Sequence, residues 1–334
     1  MIPEHLKHLV CPIDGSELCL ENAEYADGRI QSGELVSARE GNTYPIADFI
    51  PRFVPNENYA KNFGFQWKSH AETQIDRFTN TSVSRDRFFQ ESRWESKLHG
   101  AIVLEAGCGA GRFTEHAIST GATVVSFDYS NAVEVNYQHN GDHRNLLLIQ
   151  ADIYNMPFAR YYFDRVFCFG VIQHTPDVHG AFVALTNQVK RGGKLVFDVY
   201  VRHEGLFGSI KQMLKTKYWA RRFTVGMDTE VLYGLTRRYV NAMWPIAKFV
   251  SRFPLVGPNL VRFILIADNG RTYQLTDEQR RAWAVLDTFD WLSPAYDSPQ
   301  RLSTVRAWLD ESTLCETEAD RGFNGIEARG VGNH

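Results

Sequence analysis

Three glycines stand at every second position in Leu104-Glu-Ala-Gly-Cys-Gly-Ala-Gly-Arg-Phe-Thr114, directly after the short apolar run Ala101-Ile-Val-Leu. The run reads as a buried parallel strand and the residues from Arg112 read as a helix, so Gly107, Gly109 and Gly111 form the turn between them. Glycine is required where a backbone turns tightly and comes close to a ligand. The spacing is G-x-G-x-G, whereas a dinucleotide fingerprint has G-x-G-x-x-G, which argues against a pyrophosphate ligand.

The elements that follow keep the same order. Thr123-Val-Val-Ser-Phe-Asp128 is a second strand ending in a carboxylate, about twenty residues after the glycines, where a doubly wound sheet presents an acid to ribose hydroxyls. Leu146 to Asp152 is a third apolar run closed by an acid, and Phe163-Asp-Arg-Val-Phe-Cys-Phe169 is a fourth. The acids cap two strands on the side where such sheets bind ligands.

With these residues in place, the chain resembles the class I S-adenosylmethionine-dependent methyltransferases, in particular their quinone, sterol and small-metabolite branch. The resemblance rests on Glu105-Ala-Gly-Cys-Gly-Ala-Gly111, Asp128-Tyr-Ser130, Ala151-Asp-Ile153, Phe163-Asp164 with Val171-Ile-Gln-His174, and Arg191-Gly-Gly-Lys194 before Leu195-Val-Phe-Asp-Val-Tyr200. It covers roughly residues 100 to 200. It implies an α/β fold with a Rossmann-like seven-stranded sheet in the order 3-2-1-4-5-7-6, S-adenosylmethionine as cofactor and S-adenosylhomocysteine as product. It further implies that Gly107, Cys108, Gly109 and Gly111 hold the methionine part, with Glu105 near its ammonium. Asp128 would take the ribose hydroxyls, Tyr129 would lie against adenine, and Asp152 and Ile153 would read the adenine edge. Phe169, at the end of the fourth strand, and Gln66 complete the expected cofactor contacts.

The expected divisions are a small N-terminal β-unit over 1–55, a pre-core cap segment over 56–99, the core over 100–202, a helical insertion forming an acceptor lid over 203–284, and the rest of the core over 285–334. In the first unit, Leu9-Val-Cys-Pro-Ile-Asp14 and Gly33 to Ile46 resemble the two knuckles of a zinc ribbon. Only Cys11 keeps a thiolate, with Asp14, Ser37 and Glu40 at the other three ligand positions, so no metal is expected. The dense aromatics of Asn62-Phe-Gly-Phe-Gln-Trp67 suit either core packing or closure of the site against water. A helix is expected around Arg85 to Lys97.

Within the insertion, Leu232, Leu235, Tyr239, Met243, Ile246 and Val250 recur at steps of three and four, the period of a helix, which Pro245 should kink or break. Leu206, Ile210, Met213 and Leu214 suggest a shorter helix before it. From Arg202 to Arg262 eleven lysines and arginines meet three acids, a local charge of +8, while the remainder of the chain carries −11. The segment Asp287-Thr-Phe-Asp-Trp-Leu-Ser-Pro-Ala-Tyr296 reads as a loop beside the acceptor pocket.

The net charge of −3 gives no nucleic-acid signature. The five cysteines have no framework spacing, which suits a reducing compartment. A cytoplasmic enzyme is expected, with a peripheral membrane contact open through the basic insertion and the oligomeric state undetermined. The expected reaction is methyl transfer to a small-molecule, glycan or lipid-linked acceptor at a hydroxyl. His174, emerging at the carboxyl end of the fourth strand, is the expected general base. The alternatives are an RNA-modifying enzyme, for which no RNA-binding module is recognisable, and a cofactor-binding regulator without catalysis.

Overall fold

The computed structural model describes residues 1–55, 58–205, 215–253 and 257–334. The expected short helix through Leu206 to Leu214 lies outside the described residues. Four antiparallel strands come first, β1 (Leu18–Ala26), β2 (Arg29–Ser37), β3 (Thr43–Ala47) and β4 (Ile50–Pro51), paired in that order. Asp27 and Gly28 join β1 to β2 with φ of 50° and 72°, the two-residue hairpin turn that an Asp-Gly pair favours. This unit is not free-standing. The Phe53 N–H donates to the Gln150 carbonyl at 2.8 Å, and Leu9, Ile30, Leu35 and Ile46 share one buried apolar cluster with Leu147 and Ile149 of the main sheet.

The pre-core segment forms α1 (Lys61–Ser69), a single turn α2 (Asp76–Thr79) and α3 (Val83–Ser92). Asp76 accepts the backbone N–H groups of Ser84 and Arg85 at 3.0 and 2.8 Å and so caps α3. Arg93, at φ 53°, turns the chain out of the helix well short of the expected Lys97.

Strand and helix then alternate through β5 (Ile102–Ala106), α4 (Thr114–Ser119), β6 (Thr123–Asp128), α5 (Ala132–Asn140), β7 (Leu146–Gln150), β8 (Phe163–Cys168), α6 (Val178–Thr186) and β9 (Val189–Val199). Among the described residues, α7 (Thr216–Thr224), α8 (Thr229–Ser251), α9 (Gly257–Phe263) and α10 (Asp277–Leu292) follow, then α11 (Leu302–Glu311), β10 (Leu314–Arg321) and β11 (Ile326–Gly332). The main sheet runs β10-β11-β9-β8-β5-β6-β7. Counted from its β7 edge and numbering only its own strands, that is the expected 3-2-1-4-5-7-6. The strands β5 to β9 are parallel and β11 is antiparallel to β9 and β10. Their apolar runs are buried on both faces, with Val103, Val124, Leu147 and Val166 fully inaccessible. All five parallel strands therefore deliver their carboxyl ends to one edge.

The insertion packs on itself and onto that edge. Val240, Trp244, Ala247, Val261, Ile266 and Ala284 form one apolar cluster, and Leu232, Phe289 and Leu292 form another against Phe65 of α1. Three sequence expectations are corrected. The helix α8 runs unbroken through Pro245: both Pro245 and Asn241, whose carbonyl loses its amide partner, are exposed, so water can satisfy that carbonyl. Its inward face is Leu232, Val240, Trp244 and Ala247, while Leu235, Tyr239 and Ile246 face solvent. Asp287, Asp290 and Trp291 sit on α10 and not on a loop, because a capping box of Thr276 and Gln279 starts a helix that Phe289 and Leu292 anchor to its end.

Candidate active site

The glycine turn leaves β5 with the N–H groups of Gly107 and Cys108 donating to the Phe127 carbonyl at 2.8 and 2.9 Å. Gly107 has φ 81°, and a Cβ there would stand 2.3 Å from Val171, so no other residue fits between the β5 and β8 ends. A Cβ on Gly111 would instead meet Asn136 and Asn140 of α5 at 2.4 and 2.5 Å. That glycine allows close packing behind the loop.

The loop opens onto a cavity of about 960 Å³, at the upper end of the range for small-molecule sites. Gln66, Gly107, Cys108, Gly109, Asp128, Tyr129, Asp152, Ile153, Phe169 and His174 all line it. Glu105 and Gly111 do not. Glu105 is buried behind the loop, where Thr114 and Ser126 hydroxyls both donate to its Oε2 at 2.6 Å, so it ties the loop to α4 and β6. Burial pushes its carboxyl up to about 7.

Asp128 is fixed by three donors: the Ser130 N–H and hydroxyl reach Oδ1 at 2.8 and 2.7 Å, and the Gly109 N–H reaches Oδ2 at 2.9 Å. Burial raises its pKa against those three bonds. A carboxylate offers about four acceptor positions, so capacity remains for a ligand hydroxyl. The Tyr129 ring lies 4.9 Å from that of Tyr59, and Asp152 caps the turn after β7 through the Tyr154 N–H at 3.0 Å. Gln66, from α1, is 1% exposed and its Oε1 has no partner among the described residues. The neighbouring Trp67 sets its indole nitrogen 3.0 Å from where a Gly109 Cβ would be.

His174 follows β8 and packs against Phe63 and, edge to face, Tyr200, with centroids 5.2 and 5.4 Å away. Its Nδ1 lies 3.0 Å from the Tyr296 carbonyl, which can only accept, so Nδ1 carries the proton. Nε2 is then an acceptor nitrogen, buried and without a partner among the described residues.

The remaining wall comes from segments far apart in sequence. Arg112 donates to Ser84 Oγ at 2.9 Å and Gln74 Oε1 at 2.8 Å, with no carboxylate in ion-pair distance among the described residues. Burial, then nearby Arg87, pushes its guanidinium down to about 10. Gln74 and Asn269 donate to the two oxygens of Asp287 at 3.3 and 2.8 Å, and burial pushes that carboxyl up to about 7. Tyr200 donates to Asp290 Oδ2 at 3.2 Å. Arg87, from α3, bridges Glu91 at 2.6 Å and Asp198 at the end of β9. Glu91 is pushed up to about 8 by burial and by Asp198. Sequence reading missed Arg87, Gln74, Arg112 and Tyr200 as wall residues. Only Arg112 carried a signal, its place directly after the glycine turn.

At the ribbon-like N-terminus, Asp14 accepts the Ser37 hydroxyl at 2.7 Å and the Ser16 N–H at 2.8 Å, the Glu40 N–H donates to Ser37 Oγ at 3.3 Å, and Cys11 Sγ lies 3.3 Å from the Tyr44 hydroxyl. The ligand-like positions thus join in hydrogen bonds to one another and their neighbours. Elsewhere Asp76, Glu115 and His116 approach one another, but Asp76 already caps α3.

Residues 104–197 match the family described as "Methyltransferase domain". The chain carries a class I S-adenosylmethionine-dependent methyltransferase domain. S-adenosylmethionine is its cofactor. The unpartnered Gln66 Oε1, the remaining capacity of Asp128 and the close backbone of the glycine turn fit that polar ligand. Among curated relatives, a ubiquinone biosynthesis O-methyltransferase from Thiobacillus denitrificans is 32% identical over 33% of this chain and 50% of its own. A demethylmenaquinone methyltransferase from Corynebacterium urealyticum is 31% identical over 35% and 51%. A tRNA U34 carboxymethyltransferase from Photobacterium profundum is 29% identical over 32% and 34%. The chain thus spans about half of the length of the first two relatives and a third of the other. Their names range from quinones to tRNA, so likeness in the methyltransferase domain does not choose the acceptor.

Proposed function

We propose that this chain methylates a hydroxyl of a small-molecule, glycan or lipid-linked acceptor held between the strand ends and the helical insertion. The observation that carries this reading is His174, which lines the same cavity as the glycine turn and whose buried Nε2 has no partner among the described residues. The cofactor supplies, when bound, a sulfonium-activated methyl group. Asp128 receives ribose hydroxyls, and Tyr129, Asp152 and Ile153 receive the adenine. His174 accepts the acceptor's hydroxyl proton at Nε2 while the Tyr296 carbonyl holds Nδ1–H in place. The α1 segment and α10 wall the cavity and exclude water from the reacting groups.

Incubation with radiolabelled S-adenosylmethionine and a cell extract, later split into lipid, glycan, small-molecule and RNA fractions, tests the reading. Label in any of the first three supports it. Label in RNA alone overturns the acceptor class, and no label in any fraction overturns the activity.

A further inference from the structure

The described part of the insertion carries many exposed apolar side chains. Of the eighteen large apolar side chains that stand exposed among the described residues, eleven lie within residues 219–263, so they form a concentration and not the usual scatter. On α8, Val231, Leu235, Tyr239, Ile246 and Phe249 recur at steps of three, four and seven, a second apolar stripe facing away from the one that packs on α9 and α10, and Phe253 follows just beyond the helix end. Phe223 on α7, 80% exposed, and Phe263 on α9, 60% exposed, extend it.

Two hydrogen bonds knit these stripes together. The Tyr239 hydroxyl donates to the Ile264 carbonyl, and the Thr216 hydroxyl donates to the Arg262 carbonyl at 3.1 Å, so α8, the end of α9 and the start of α7 are joined. Arg262 also lines the cavity, which brings the apolar surface to the edge of the candidate active site. Among the described residues, Arg222 on α7, Arg238 on α8 and Arg252 just after α8 stand exposed with no carboxylate in ion-pair distance.

We propose that this face of the insertion seats on an anionic lipid bilayer, with Phe223, Phe249, Phe253 and Phe263 entering the headgroup region and the arginines meeting lipid phosphates. Charge decides the occupant: a second copy would set the exposed arginines of one face against those of another, whereas an anionic surface complements them. No described helix is long and apolar enough to cross a membrane, so the contact is interfacial. It goes beyond the methyl-transfer reading and is tested without activity.

The test is flotation of the whole chain with vesicles of phosphatidylcholine, alone or with added phosphatidylglycerol, at low and high salt, beside a sedimentation measurement of oligomeric state. Binding is expected only to the anionic vesicles and should fall severalfold with salt. The double variant Phe249→Glu with Phe253→Glu should lose about tenfold or more of it, and Arg222→Glu with Arg238→Glu severalfold, both keeping the wild-type S-adenosylhomocysteine affinity that reports a folded core. Absence of wild-type flotation at low salt overturns the proposal. So does unchanged binding by both variants, or a wild-type dimer that the phenylalanine variant converts to monomer, which would assign the face to a second copy.

Discussion

The strand-end wall of the cavity and the wall facing the insertion hold their polar groups by different means. Asp128 takes its three donors from Gly109 and Ser130, residues of the same strand–turn–helix units. Arg112 and Asp287 are held through Gln74, and Gln74, Arg112 and Asp287 come from the pre-core segment, the glycine turn and α10. A site for an invariant cofactor can be built locally by the fold itself. A site for an acceptor must be assembled from elements that can differ without disturbing the sheet, and this is why likeness in the methyltransferase domain leaves the acceptor open.

The seam between these regions should respond most strongly. Arg87→Met leaves Glu91 and Asp198 buried without their cation, and unfolding in urea near neutral pH should show a loss of about 3–5 kcal/mol. A loss below about 1 kcal/mol would mean that the trio does not join α3 to β9. His174→Asn comes next: it keeps size and hydrogen bonding but removes the base, and the transfer rate should drop by roughly 10²-fold at unchanged S-adenosylhomocysteine affinity. A near wild-type rate would leave alignment alone as the mechanism.

Asp128→Ala reverses that split. Titration calorimetry should find S-adenosylhomocysteine binding weaker by about 2 kcal/mol, since two hydroxyls lose a charged acceptor; unchanged affinity in a folded variant removes Asp128 from the site. The smallest effect is expected at Asp287. Its carboxyl is raised to about 7 in the fold, above its unfolded value of about 4. The proton-bound form favours folding, so this contribution is complete below pH 4 and is lost as pH rises through 7. Asp287→Asn should therefore match wild type below about pH 4 and exceed it by about 1–2 kcal/mol or more near pH 8 in thermal or urea unfolding. Parallel curves would mean that Asp287 is ionised throughout.

The same contrast governs what the amino-acid sequence reveals. The parallel strands and the wall positions of Gly107, Asp128, Tyr129, Asp152, Ile153 and His174 follow from local pattern, because each position lies at or just beyond a strand end, whereas the strand order is implied by the family resemblance. Which side of the turn a residue faces is not local: Glu105 and Gly111 belong to the motif yet point to α4, α5 and β6. Periodicity gave α8 its helix but not its inward face, since two apolar stripes run along it and only packing against α9 and α10 selects one. Asp287 and Trp291 read as a loop because Ser-Pro follows them, although the helix-starting Thr276 and Gln279 stand in the sequence. Arg87 and Gln74 gave no sign at all, as their roles exist only once α3 is folded over the strand ends.

A crystal structure of the chain with S-adenosylhomocysteine tests the central claim most directly, that one cavity joins a cofactor wall at the strand ends to an acceptor wall beside the insertion. The account predicts the ribose hydroxyls on Asp128, the adenine beside Tyr129 and Ile153, and open volume continuing toward His174, Tyr200 and Arg112. Density for the ligand outside this cavity, or with its ribose on the insertion wall, would contradict it.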